Sequence, residues 1–195
     1  MIIWNGSVRG PQAIPGTYRA RFFFDKDSVE VPFTLLPDPN FKATEQEYAP
    51  QLEYLLNVRD LFSETMTALQ KIRSVRGQLE EKRKQWNADT IPAMKALLDT
   101  TVKQLTLVEE ALHQTKAKSS QDVLNYPIRL DDKLSGLYNQ VRAGSGGVTK
   151  QAVEAYAEIG GKIRTELAKL KAIESEQIPA INAKAFEWKL PAISW

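Results

Sequence analysis

Between Thr44 and Trp86 the sequence offers no obvious stop, and this stretch limits the possible folds more than any other feature. Leu52, Leu55, Phe62, Met66, Leu69, Ile72 and Leu79 recur at steps of three and four, the spacing of one helix face. Thr44-Glu-Gln-Glu47 has the spacing of a capping box, in which the threonine hydroxyl accepts from the third helical amide and the glutamate reaches back to the cap. The next break is Asn87-Ala-Asp-Thr-Ile-Pro92. At about 1.5 Å per residue a helix over 44–86 spans roughly 60 Å, so the chain must build an elongated bundle or a helical hairpin.

Thr90 and Pro92 open a second helix, striped by Met94, Leu98, Val102, Leu105, Val108 and Leu112, and the short link makes it antiparallel to the first. Lys116 to Gln121 reads as its exit. Asn125-Tyr-Pro-Ile-Arg-Leu then leads into a shorter helix with Leu130, Leu134, Leu137 and Tyr138 on one side. Ala143-Gly-Ser-Gly-Gly147 is a flexible link, and Thr149 caps a last long helix bearing Val153, Tyr156, Ile163, Leu167, Leu170 and Ile173. Within it, Gly160-Gly161 predicts a close neighbouring backbone or a bend, and Pro179 a kink or restart. Trp188 and Trp195 are expected to be docked.

Residues 1–39 differ in character. They hold Pro11, Pro15, Pro32, Pro37 and Pro39, half of the ten prolines, and two stretches of period two. Tyr18, Ala20, Phe22 and Phe24 share one face of the first stretch while Arg19 and Arg21 take the other. Val29, Val31, Phe33 and Leu35 repeat the alternation after the turn Asp25-Lys-Asp-Ser28, and Pro32 suits an edge. A lone hairpin of this kind has an apolar face and nothing of its own to cover it. The expectation is the last portion of a larger β-sandwich over 1–39, followed by a helical bundle over 40–195. The hairpin face then either self-associates through strand 17–24 or folds back on the bundle beneath Trp188 and Trp195.

Composition narrows function mainly by exclusion. Lys+Arg number 26 and Asp+Glu 24, a balance that gives no global argument for nucleic acid or an anionic membrane as a partner. No apolar run approaches the roughly 18 residues of a spanning helix, and Met1-Ile-Ile-Trp-Asn-Gly lacks the basic start and apolar core of a secretion signal. There is no cysteine, hence no disulfide and no thiolate metal site. With His113 as the one histidine, a catalytic triad or a histidine metal site needs a second chain, and His113 is expected at the surface or at an interface near a helix C-terminus. Asp131-Asp132 reads as a helix-start cap and Glu109-Glu110 as a solvated face, because successive helical residues diverge by about 100°. Gly144-Ser-Gly-Gly147 is followed by no Lys-Ser/Thr and is not a phosphate loop. No catalytic residue, no metal site and no cofactor is expected; an enzyme assembled between chains through His113, Asp131 or Asp132 is the remoter reading.

Candidate interaction residues fall into two groups. Tyr18, Phe22 and Phe24 form the hairpin face. Arg73, Arg76, Lys82, Arg83 and Lys84, with Lys71, outnumber Glu80 and Glu81 in one helical stretch, which raises nucleic-acid or acidic-polymer binding through residues 71–84 as an alternative. Arg59, Arg73 and Arg76 lie in or beside the apolar stripe, so each must meet a carboxylate of a facing helix or snorkel out. The core is expected to include Tyr18, Phe22, Phe24, Leu55, Phe62, Leu105, Tyr126, Leu134, Leu137 and Ile163.

Some short motifs resemble a family. Trp4-Asn, Gly10-Pro-Gln-Ala-Ile-Pro-Gly-Thr-Tyr18 and Leu36-Pro-Asp-Pro-Asn40 are similar to the end of the Ig-like domain that follows the β-propeller in bacterial sortilin-like glycosyl hydrolases with Asp-box (BNR) repeats. Ile72-Arg-Ser-Val-Arg-Gly-Gln78 and Asn125-Tyr-Pro-Ile-Arg-Leu-Asp-Asp-Lys-Leu134 resemble elements of the helical module after it. Asn40 stands where that family's Asp-Pro-Arg motif has arginine, and no propeller is present. The resemblance implies a mainly α fold with a hairpin from a truncated Ig-like sandwich. It also implies a non-catalytic accessory or scaffold role beside upstream propeller and Ig-like domains, and an extracytoplasmic (periplasmic or secreted) location.

Overall fold

A computed structural model describes residues 3–4, 9–40, 45–144 and 147–193. The fold is mainly α, an elongated bundle with a two-stranded antiparallel hairpin at the N-terminal side. The hairpin is β1 (Gly16–Phe24) and β2 (Asp27–Leu35); the helices are α1 (Glu45–Gln85), α2 (Pro92–Leu112), α3 (Leu130–Ala143), α4 (Lys150–Ala172) and α5 (Ile178–Glu187).

The long helix is the spine. Its 41 residues run through Pro50 and stop at Asn87, which takes a left-handed φ of 47°. Thr44, the expected cap, lies outside the described residues. Contacts along α1 give the packing order. Gln51 donates to the carbonyls of Val141 and Gly144 at the end of α3, whereas Arg73 and Arg76 reach Glu109 and Arg83 reaches Asp99 on α2. The short α3 therefore lies along the first half of α1 and α2 along the second half, both antiparallel to it. By contrast Tyr54 donates to Ala152 O and Tyr156 to Asn57 O, so α4 runs parallel to α1, and the ion pair Lys71–Glu174 continues that alignment. Among the described elements α1, α3 and α4 pack together along the first half of the spine, and α1, α2 and α4 along the second. The core runs down the middle through Leu55, Val58, Leu69, Ile72 and Leu79 of α1, Leu98 and Leu105 of α2, Leu134 of α3 and Ile163 of α4.

Local chemistry explains the joints. Pro92 occupies the first turn of α2, where its missing N–H costs nothing. Thr149 caps α4 by accepting from Ala152 N at 3.2 Å. Between α4 and α5 the chain makes one π-helical turn, Ile173–Gln177, with Ile178 N donating to Ile173 O. Pro179 cannot donate to the carbonyl four residues back, and the wider turn accommodates it. Ile173, Ile178, Ile181 and Ala185 thereby stay on the buried side.

Several expectations need correction. Val153 is 51% exposed; the inner face of α4 starts from Ala152 instead. Phe22, Phe24 and Tyr126 are exposed and not core, and Tyr18 is only half-buried: among the described residues no helix lies over the hairpin, and Tyr126 sits in the turn before α3. Among the described residues neither strand lies with its backbone against a helix, so the hairpin is not folded back along the bundle; only its base, at Leu35, faces α1. Trp188 is partly exposed at the end of α5. The tail is held instead by Ile193, whose N–H and C=O both bond the Asn182 side-chain amide, at 2.7 and 3.0 Å. Trp195 lies outside the described residues.

The glycine pair separates into two roles. A Cβ on Gly160 would lie 3.3 Å from Leu61 Cδ2 and 3.0 Å from Arg164 Nη1, while one on Gly161 would meet nothing within 4 Å. Gly161→Ala is therefore expected to raise stability by about 1 kcal/mol through helix propensity. Gly160→Leu is expected to lower it by about 1–3 kcal/mol through overpacking against α1. Urea unfolding of the two variants reads both signs, and a stabilising Gly160→Leu would contradict the close approach.

Candidate interaction surface

The hairpin is a sheet of two opposite faces. Antiparallel register pairs Tyr18 with Phe33, Ala20 with Val31 and Phe22 with Val29, so these side chains lie on one face with Phe24 and Leu35. Tyr18 and Phe33 stack with ring centroids 5.8 Å apart, and the Tyr18 hydroxyl donates to Ile14 O. Toward the tip the face opens to solvent: Phe22 is 61% and Phe24 84% exposed, and Val29, Val31 and Phe33 are about half exposed. The other face carries Arg19 and Arg21, both paired with Glu30, and Phe23 beneath the Arg21 guanidinium. Tyr18, Phe22 and Phe24 share the face that their alternation predicts, and Val29, Val31 and Phe33, marked by the same alternation, extend it beyond the candidate residues named from the sequence.

At the hairpin base a cleft of about 450 Å³ separates Leu35 and Leu36 from Leu52 and Leu55 of α1, with Tyr48, Gln51 and Arg142 at its polar side. The preceding segment is tied to α3 at two points. Trp4 N donates to Asp132 Oδ2 at 2.9 Å, and Tyr138 Oη donates to Arg9 O at 3.2 Å. Burial pushes the Tyr138 phenol up.

The basic stretch of α1 is dispersed, and Lys71, Arg73, Arg76 and Arg83 each meet a carboxylate. Arg73 Nε and Arg76 Nη1 grip the two oxygens of Glu109 at 2.6 and 2.5 Å. Glu109 is buried, contrary to the expected solvated face, and is the facing-helix carboxylate that the arginines require. Burial acts to raise its pKa, but hydrogen bonds and charge from the two guanidiniums overcome this and hold the carboxyl below its ordinary value. Arg83 bonds Asp89 and Asp99, Lys82 bonds Gln85, and Lys84 is exposed beside Asp89 and Glu80. Arg59 turns outward to Asp60.

His113 is also corrected. It ends α2 as expected, yet is buried, with Nδ1 2.6 Å from Asp131 Oδ2 in the first turn of α3. Asp131 Oδ1 accepts from Asp132 N. This pair fastens the junction where α2 gives way to α3 alongside α1. Its signal was in the sequence: His113 and Glu109 continue the α2 stripe, and Asp131 lies three residues before Leu134. Among the described residues no group of three or more His, Asp or Glu is placed to hold a metal ion, and no helix is long and apolar enough to cross a membrane.

Comparison with protein-family models, with curated proteins and with solved structures finds no match to this chain.

Proposed function

We propose that this chain is a non-catalytic accessory module: a helical scaffold that presents an amphipathic β-hairpin to a β-structured partner. In the light of the motif resemblance, the scaffold is the helical C-terminal region of an exported, propeller-bearing protein of the sortilin-like glycosyl hydrolase kind. The hairpin is then a piece of its Ig-like domain. A single observation carries the proposal. The helices bury their apolar stripes in one continuous core, whereas the hairpin leaves a coherent aromatic and aliphatic face open. Exposed apolar faces of this organisation mark interaction sites.

The purified chain is expected to bind an apolar dye such as ANS through that face. Phe22→Lys combined with Phe24→Lys removes most of the dye signal. The pair shifts the melting temperature of the bundle by no more than about 2 °C, since these residues do not pack on it. A dye signal indifferent to the pair would overturn the reading, as would turnover of any member of a panel of oligosaccharides and chromogenic glycosides.

A further inference from the structure

The two edges of the hairpin are not equivalent. The connection Asp25-Lys26, with Asp25 at φ 52°, joins Phe24 to Asp27, and Arg19 lies opposite Pro32. In an antiparallel ladder, pairs that exchange both backbone hydrogen bonds alternate with pairs whose N–H and C=O point away from the partner. Pro32 has no N–H, so Arg19↔Pro32 belongs to the outward set, and by parity Arg21↔Glu30 and Phe23↔Ser28 do too. The free edge of β2 is thus interrupted in the middle of its row of donors, a device that blunts an edge. On β1, Thr17, Arg19, Arg21 and Phe23 present an unbroken row, and among the described residues no further strand lies beside it.

We infer that β1 is the docking edge of this protein and that its partner is an extended strand in which apolar residues alternate with acidic ones. This rests on the function proposed above and names the partner. Side chains opposite Tyr18, Ala20 and Phe22 would continue the apolar face. Those opposite Arg19 and Arg21 meet the polar face, where two guanidiniums share one carboxylate: Glu30 lies 3.5 Å from Arg19 Nη1 and 2.7 Å from Arg21 Nε. Acidic side chains there complete the pairing, because opposite charges across strands stabilise and like charges destabilise. The same rule turns away a second copy. Antiparallel β1 on β1 sets arginine against arginine, and β1 on a copy's β2 meets the gap at Pro32.

The probes are blocked nine-residue peptides added to the full chain: alternating Val and Glu, alternating Val and Lys, and the Val/Glu peptide N-methylated at two adjacent central residues, which removes a donor from each of its edges. Amide hydrogen exchange by NMR is the readout. The Val/Glu peptide is expected to slow exchange at Arg19, Arg21 and Phe23 and to bind about tenfold more tightly than Val/Lys, while the N-methylated peptide has no effect. Arg19→Glu, Arg21→Glu and Glu30→Lys together, which keep the ion pairs with reversed sign, invert the preference. Protection at Ser28 and Glu30 instead, equal binding of the Val/Lys peptide, protection by no peptide, or concentration-dependent protection of β1 in the chain alone would each overturn the inference. The dye experiment above needs no peptide. A hairpin-dependent dye signal with no edge protection therefore sinks the edge inference and leaves the proposed function standing.

Discussion

Replacing Arg73 and Arg76 together by methionine is expected to destabilise the protein by about 3–5 kcal/mol at pH 7, the usual loss when a buried charge is stranded without its partner. Glu109 has 2% of its side-chain surface exposed, and both of its oxygens are held by these guanidiniums. The arginines are partly exposed, so solvent screening places the effect toward the lower end of that range. The pH dependence supplies a second reading. In the native chain the Glu109 pKa lies below 4.5 when folded. Its contribution is therefore complete above the unfolded value of about 4.5 and is lost as pH falls through the depressed folded value. In the double variant burial acts unopposed and raises the folded pKa, so the penalty grows as pH rises above about 4.5. The stability difference between the two proteins is thus small in acid and full at neutrality. Chemical denaturation at a series of pH values measures it, and a difference independent of pH would show that Glu109 does not carry the effect.

Leu69→Ala is expected to cost about 2–5 kcal/mol. Leu69 is fully buried near the middle of α1, on the stripe shared by the α2-covered and α3-covered halves of the spine. Removing its branched end leaves a cavity that a bundle of three long helices relaxes only in part. Urea unfolding should show a lower midpoint with an unchanged slope. A loss below about 1 kcal/mol would mean that the helices close over the gap and that the core is less closely packed than its burial indicates.

The helical part of this architecture was largely legible. Seven apolar residues at steps of three and four predicted a helix over 44–86, and the structure has Glu45–Gln85. Pro50 did not end it: only one intrahelical bond near the start is lost, and the burial of Tyr54, Leu55 and Val58 follows at once. The polar contacts were legible in principle and misjudged. Glu109, His113 and Asp131 all sit on the apolar side of their helices by spacing, but the adjacent acidic pairs suggest a solvated face for Glu109 and a helix-start cap for Asp131, and the helix end suggests a surface or interface position for His113. What decides between the two is the partner across the helix boundary, Arg73 and Arg76 in one case and a histidine at the next junction in the other. For the hairpin, period two identified which side chains share a face. Whether that face is covered depends on chain or partner beyond the helices, and no local pattern encodes it.

The π-helical turn at Ile173–Gln177 sets the tolerance of the C-terminal rod to changes of length. Ile178 follows Ile173 at a step of five, one more than a straight stripe allows, so the turn stores a surplus residue. Deleting one residue between Glu174 and Gln177, together with replacement of Pro179, would leave Ile178, Ile181 and Ala185 on their inward face. Deleting one within α4 would swing everything downstream by about 100°. Pro179 is what makes the surplus useful, since an ordinary α turn in its place would clash with the proline ring. Along a lineage of such chains, the extra residue and the proline are therefore expected to be gained and lost together.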